Sequence, residues 1–490
     1  MEFSEGLYNE SRKTLTENGA VAYNTSGDAL LDFFGTAGSL READVERKER
    51  LFEDAYREDP LLATKCLFYV RDIRGGLGER QTFRELLRYL AEKHPEAVRP
   101  NISLIGEFGR FDDLYALIGT PVTEEVGVYM REQFANDEAN MVLKRPVSLL
   151  AKWLKSADAS SRVTRQLGIM TAGLLGMSVY DYKRRVKALR KYIDIVERKM
   201  STNKWTEIDY ETVPSVAMSI YRDAFKKHDK DGFDEYISDV SSGTKKINAS
   251  TLFPYDILEK YNFSSYYGMR KIDNVLEEQW KALPNYVDGN ASAIVIADTS
   301  GSMDGRPLNS AVALAIYFAE RNTGAYHNLW MSFSEDSRVQ RLQGNSLWEK
   351  LRNIDRSHWD CNTNLERAFE HILDIAVKND VAPEEMIKSL IVISDMEIDQ
   401  CTGNAKKWVF YDDMRRRFAE AGYEIPNIVF WNVNSRHDVF HADKNRKGVQ
   451  LCSGQSASTF QTLMKSVGLT PMEMMMNVLT SDRYANVTIE

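Results

Sequence analysis

Cysteine is scarce in this chain: there are four among 490 residues, Cys66, Cys361, Cys401 and Cys452, far apart and with no CxxC pair. That spacing argues against a disulfide framework or a cysteine-rich zinc site and fits a reducing, cytoplasmic setting. Long apolar runs are missing too. No stretch approaches the ~18 residues that span a bilayer, so no membrane attachment is expected. The opening MEFSEGLYNESRK has no apolar core behind a basic start, so no secretory leader is expected either. What remains is an ordinary globular mix, 43% hydrophobic and 28% charged. It excludes a disordered acidic tail and a collagen-like repeat, and the length suggests about two to four domains.

The net charge of −9 hides a strong asymmetry. Between positions 144 and 204 there are 15 basic and 4 acidic residues, a local excess of +11 that leaves −20 for the remainder. A polyanion would be drawn to that segment and repelled by most of the rest. Within it, DYKRRVKALRKYIDIVERKM spaces Val186, Leu189, Ile193, Val196 and Met200 by 3, 4, 3 and 4, which predicts one helix over 182–200. Lys183, Lys187 and Lys191 stack at i, i+4 away from that apolar face, beside Arg184, Arg185 and Arg190. Like charges at this spacing cost a few tenths of a kcal/mol per pair in an isolated helix. An anionic partner would relieve the cost, and a solvated face with long aliphatic stems would tolerate it.

The first ~280 residues carry helical periodicity in LLATKCLFYVRDI and FRELLRYLAEK, and again around 147–155, 162–176, 182–200 and 215–228. Short turn-linked helices suit an α-solenoid, in which each pair buries its apolar face against its neighbours. Gly75, Gly76 and Gly78 lack the GK[ST] ending of a phosphate-binding loop and read as a helix–helix turn needing positive φ. From about residue 291 the texture changes. Nearly all-apolar runs at 294–297, 329–333, 390–393 and 428–431 alternate with helical patterns at 308–321, 364–377 and 408–421. That alternation predicts a parallel sheet covered on both faces. The boundary falls in the turn-rich 284–289 stretch, giving a helical domain over 1–285 and an α/β domain with C-terminal helices over 286–490.

The run 294–297 ends in Asp298-Thr299-Ser300-Gly301-Ser302-Met303. Ligands of open α/β sheets sit at the carboxyl ends of strands, and one carboxylate followed by alternate hydroxyls offers hard oxygen donors suited to Mg²⁺. Thr363, at the start of a helix, offers another hydroxyl, and Asp395 places a second carboxylate at the end of the 390–393 run. Asp298, Ser300, Ser302, Thr363 and Asp395 together make the pattern of a metal-ion-dependent adhesion site. The alternative for DTSGSM alone is a strand-to-helix turn with N-cap serines.

On these motifs, residues ~290–455 resemble a von Willebrand factor A domain, an α/β Rossmann-like fold. The resemblance implies Ser300 and Ser302 as direct metal ligands, Thr363 as a direct or water-mediated one, and Asp298 and Asp395 acting mainly through waters. Largely neutral ligands leave the cation positive enough to take an anionic ligand from a partner. No recognisable general base lies nearby, with His358 and His371 the closest histidines in sequence, so binding is expected in place of catalysis. His437 and His441, at i, i+4 in a polar loop, could ligate zinc on a helix but have no third ligand in register.

The helical half has its own echoes. RDIRGGLGER, FGRFDDLYAL, DYKRRVKALRKYIDIVERKM with Trp205, VPSVAMSIYRDAFKKHD and LFPYDIL, in that order, resemble the TROVE module. That is the HEAT-like helical ring of Ro ribonucleoproteins and their uncharacterised bacterial and phage relatives. The resemblance spans nearly the whole chain and implies binding of small structured or misfolded RNA, without DNA sequence specificity, on Lys183, Arg184, Arg185, Lys187, Arg190 and Lys191. The expected function is thus a non-enzymatic RNA-binding scaffold with a Mg²⁺-binding A-type domain. The alternative is a metal-dependent protein-interaction module capturing an acidic residue of a partner, and a metal-dependent nuclease or phosphotransferase is more remote. The Met-rich PMEMMMNVL near the C-terminus is expected to pack in the core.

Overall fold

The computed structural model describes residues 10–263, 268–287, 289, 291–333, 338–354, 364–399 and 410–490. An N-terminal hairpin, β1 (Lys13–Leu15) paired antiparallel with β2 (Val21–Tyr23), precedes the helices. Those of seven residues or more are α1 (Ala29–Thr36), α2 (Val45–Glu58), α3 (Pro60–Arg71), α4 (Gln81–Lys93), α5 (Thr123–Val142), α6 (Arg162–Leu174), α7 (Val179–Ile193), α8 (Ser215–His228), α9 (Lys230–Ser241), α10 (Pro254–Lys260) and α11 (Asn274–Lys281). Local signals set their ends. Asp59 caps α3 by accepting from the N–H of Leu62, with Pro60 in the first turn, and Ser178 caps α7 through the N–H of Asp181.

The single helix expected over 182–200 is two. Asp194 adopts a left-handed conformation, φ 54°, and closes α7; a short helix Val196–Ser201 follows. The apolar rhythm runs through the break because Val196 is buried on the far side of the turn. The Asp194 carboxylate fixes that turn by pairing with Lys199 at 2.7 Å.

The C-terminal half builds β3 (Ala293–Asp298), α12 (Arg306–Arg321), β4 (Leu329–Phe333), β5 (Arg338–Arg341), α13 (Leu347–Asn353), α14 (Leu365–Lys378), β6 (Ser389–Ser394), α15 (Phe410–Glu420), β7 (Asn427–Asn432), β8 (Val449–Ser453), α16 (Thr459–Lys465) and α17 (Pro471–Leu479). Its six strands lie in the order β5-β4-β3-β6-β7-β8, all parallel except β5, which runs antiparallel to β4. β3 and β6 are buried along their whole length, as strands covered on both faces must be. The polar edge strand β5 and the mixed-sequence β8 carry too little apolar signal to be read from the sequence.

One continuous hydrophobic core runs through both halves, and a smaller one around Met218, Phe225, Phe233 and Tyr236 holds α8 to α9. Helix α10 packs along α12, and α1 packs on β8. There Gly38 donates its N–H to Ser453 Oγ at 2.9 Å, and a Cβ on Gly38 would lie 2.7 Å from the Gly454 Cα, so only glycine permits the approach. The Gly76–Gly78 turn likewise follows α3, with Gly78 at φ +67°.

The chain ends cross over. Residues 13–23 bond to the C-terminal half, Tyr23 pairing with Phe440 and Thr16 Oγ1 donating to Ile398 O at 2.7 Å. The last residues bond to the helical half: Arg483 forks onto Asp72 at 2.8 and 2.9 Å, and Thr488 donates its N–H to Asn101 Oδ1. Met474 and Met475 are buried in the shared core, as expected for PMEMMMNVL. No helix among the described residues is long and apolar enough to cross a membrane.

A buried ionic network ties α3, α4 and the following turns together. Asp113, fully buried, takes Arg71 Nε at 2.7 Å, Arg84 Nε at 2.6 Å and the Arg110 N–H at 3.0 Å. Removing one partner of such a pair strands the other charge in the interior. Asp113→Ala is therefore expected to lower unfolding free energy by about 3–5 kcal/mol in urea titration; a loss below about 1 kcal/mol would show that Arg71 finds water.

Candidate functional site

The sheet changes direction between β3 and β6. From β3 the chain moves outward to β4, whereas from β6 it moves the other way to β7. Such a switch point opens a crevice at the carboxyl ends of the two strands. Asp298 is the last residue of β3, and Asp395 follows the last residue of β6. Both are almost completely buried.

Two neighbouring carboxylates without bulk water need donors, and backbone and hydroxyl groups provide them. Asp298 Oδ1 accepts the Ser300 N–H at 2.9 Å, and Oδ2 accepts Ser394 Oγ at 2.6 Å. Ser394 Oγ in turn accepts the N–H of Met396 at 3.0 Å, a residue held at φ +69°. Asp395 Oδ1 accepts the Glu397 N–H at 3.1 Å, and its Oδ2 takes Arg436 Nη2 at 2.9 Å. Burial, and then the charge of Asp395, push the Asp298 carboxyl up to about 7, against the smaller opposing pull of its Ser394 and Ser300 hydrogen bonds. Ser300 and Ser302 place their hydroxyls 3.1 Å apart in the turn after β3, Ser300 buried and Ser302 exposed. Four of the five expected oxygen-bearing residues thus lie on the loops flanking the switch point. Thr363 lies outside the described residues.

Apart from His437, sequence reasoning missed the rim. Arg436, in the loop after β7, reaches Asp395 with one nitrogen and Glu17 Oε2 with the other, at 2.5 Å. Glu17 sits in the β1–β2 turn, and its N–H donates to Glu397 Oε2 at 2.6 Å. His437 Nδ1 lies 2.9 Å from Glu397 Oε1. His441 does not share that setting: it is buried, its Nε2 donates to Met396 O at 3.0 Å, and burial pulls its pKa down to about 4.

The expected basic face divides into held and exposed cations. Arg190 is clamped inward, with Nε on Ala151 O at 2.8 Å and Nη2 on Leu154 O at 2.5 Å, closing the end of the short helix Leu150–Trp153. Arg185 pairs with Glu138, Nε to Oε1 at 2.7 Å. Lys183 and Arg184 are exposed but meet Asp158 and Asp181. Lys187 and Lys191 are exposed and form no ion pair among the described residues. Apolar side chains are exposed on α6 and α7 too: Val163, Ile169 and Met170 on α6, and Tyr180 on α7, the last to 75%.

A family model described as a domain of unknown function, DUF2828, matches residues 16–145 and 147–290. The chain belongs to the DUF2828 family. A second model, also described as a domain of unknown function, DUF7788, matches residues 292–486. In this DUF2828 protein the two matched stretches meet immediately before β3. The uncharacterized protein L728 of Acanthamoeba polyphaga mimivirus is similar over nearly the whole chain, 28% identical over 507 residues that cover 95% of this sequence and 87% of the relative.

The raised Asp298 pKa fixes the sign of a pH effect. The folded state holds the proton that the unfolded chain gives up near pH 4, so the stability this residue contributes is complete below that value. It is lost as pH rises toward about 7. In chelator, Asp298→Asn is expected to match the wild type near pH 4 and to exceed it at pH 8 by on the order of 2–4 kcal/mol in urea unfolding. A difference independent of pH would mean that Asp298 is ionised throughout.

Proposed function

We propose that this protein is a non-enzymatic RNA-binding scaffold of the TROVE/Ro type, with a C-terminal von Willebrand factor A-like domain that binds Mg²⁺. The observation that carries the reading is the concentration of cations on one exposed helical surface. Lys183, Arg184, Lys187 and Lys191 project from α7 within a segment of +11, on a chain that is otherwise strongly acidic. Phosphates would gather there and be repelled elsewhere. Exposed Tyr180 at the start of the same helix offers a ring on which an unpaired base can stack. The short paired helices of the N-terminal half suit a HEAT-like solenoid.

The site at the switch point supports the second half of the reading. Its donors fit a hard divalent cation: two adjacent hydroxyls, Ser300 and Ser302, backed by the Asp298 and Asp395 carboxylates. A cation there would offset the cost of two neighbouring buried acids and, held by largely neutral ligands, would accept an anionic group from a partner. Ser394 and the Ser300 N–H hold Asp298 in place, and Arg436 holds Asp395. A protein partner is the second reading. Val163, Ile169 and Met170, exposed on α6, favour it because apolar side chains of this kind are covered more naturally by protein than by phosphate.

Lys183→Glu, Lys187→Glu and Lys191→Glu combined are expected to weaken RNA binding by at least about tenfold in gel shift, whatever the RNA sequence. Wild-type affinity should fall about a hundredfold between roughly 50 and 200 mM salt if four phosphates are contacted. Arg190→Ala should instead lower stability by about 1–3 kcal/mol, because it releases two buried carbonyls, and leave the salt slope unchanged. Unaltered RNA affinity in the triple variant would overturn the placement, and EDTA-sensitive capture of an acidic protein without RNA would favour the second reading.

A further inference from the structure

The rim of the switch-point crevice holds a second set of donors, independent of Ser300 and Ser302. Glu17, Glu397 and His437 come from the β1–β2 turn, the loop after β6 and the loop after β7, and one ligand atom from each lies within 4.8 Å of the others. From these three side chains we infer a second cation site, for a borderline divalent metal such as Zn²⁺, that joins the N-terminal hairpin to the α/β half.

The donors differ in kind from those around Asp298. Two carboxylate oxygens and one imidazole nitrogen form a set that Zn²⁺, Co²⁺ or Mn²⁺ satisfies and that Mg²⁺ and Ca²⁺, which prefer oxygen alone, do not. The Glu397 carboxylate is 1% exposed and serves as the fixed anchor. The Glu17 N–H at 2.6 Å and the Asn18 amide on the Glu397 carbonyl, also at 2.6 Å, hold its position. The two other donors lie at the surface, with side-chain exposures of 49% for Glu17 and 59% for His437, where each can reorient by exchanging its present partner, Arg436 or Glu397, for the metal. Metal–ligand bonds of about 2.0–2.2 Å place tetrahedral ligand atoms roughly 3.3–3.5 Å apart. The His437 Nδ1–Glu397 Oε1 pair, at 2.9 Å, would open by about half an ångström, and the other separations, none above 4.8 Å, would close by at most about 1.5 Å, the movement falling on the two exposed side chains.

Charge points the same way. Glu17 and Glu397 bring two carboxylates together, and the nearby cation, Arg436, is shared with Asp395. A divalent ion would match the two acids of the rim and leave Arg436 to Asp395. Three protein ligands leave a coordination position facing solvent, open to water or to an anionic group.

The test uses the full chain and the metals alone. Isothermal titration with ZnCl₂ after chelator treatment should give one site per chain, and Co²⁺ should give a visible absorption spectrum with nitrogen–oxygen ligation. His437→Ala and Glu17→Gln, both exposed positions that fold without the metal, should each weaken Zn²⁺ by at least about tenfold and abolish the Co²⁺ spectrum. Asp298→Asn should leave Zn²⁺ binding intact, which separates this site from the Mg²⁺ reading. Wild-type affinity no tighter than millimolar, or equal Zn²⁺ affinity in all three variants, would overturn the inference.

Discussion

Two acids side by side at the ends of β3 and β6 set the terms for everything around them. Parallel strands buried on both faces leave their carboxyl ends as the place where polar side chains can project, and the change of direction in the sheet puts Asp298 and Asp395 there together. Such a pair is tolerated only where donors surround it. The Ser394 hydroxyl, the N–H groups of Ser300 and Glu397 and the Arg436 guanidinium meet that demand. Ser394 ends β6, and the others come from loops whose paths are constrained in turn: Met396 at positive φ, the Ser300 turn directly after the strand, the β7 loop pinned by the N-terminal hairpin. The site is organised by the need to neutralise it.

Charge is used differently on the other half of the molecule. Of the six basic residues on α7, Arg190 works as a helix terminator and Arg185 as half of an ion pair; both are structural parts whose sign happens to be positive. Lys187 and Lys191 carry their charge outward. A count of basic residues therefore overstates what a polyanion meets. The exposed Tyr180, Val163, Ile169 and Met170 add an apolar component that the net charge conceals.

Much of this was legible in the sequence, and the exceptions have physical reasons. Asp298, Ser300, Ser302 and Asp395 could be placed because an apolar strand followed by a polar loop marks its own end. Arg436, Glu397 and above all Glu17 could not, since their contacts join segments as much as about 420 residues apart. The apolar period over 182–200 predicts one helix because buried Val196 carries the rhythm across the Asp194 turn. The roles of Arg190 and Lys187 were indistinguishable for a similar reason: one meets carbonyls at the end of another helix, which no local pattern records. Strands of three residues, or polar ones such as β5, offer too few positions for a two-residue rhythm to emerge.

The crossing of the chain ends has a consequence for biosynthesis. The hairpin at residues 13–23 is synthesised about 380 to 420 residues ahead of its partners at Ile398 and Phe440. At ~5–20 residues per second the hairpin waits roughly 20 to 85 s for them. The tail at Arg483 and Thr488 then closes onto helices completed long before. The hairpin therefore stays without its long-range partners throughout synthesis of the first part of the α/β half, and a nascent chain stalled there would present an open strand to whatever chaperone reaches it first.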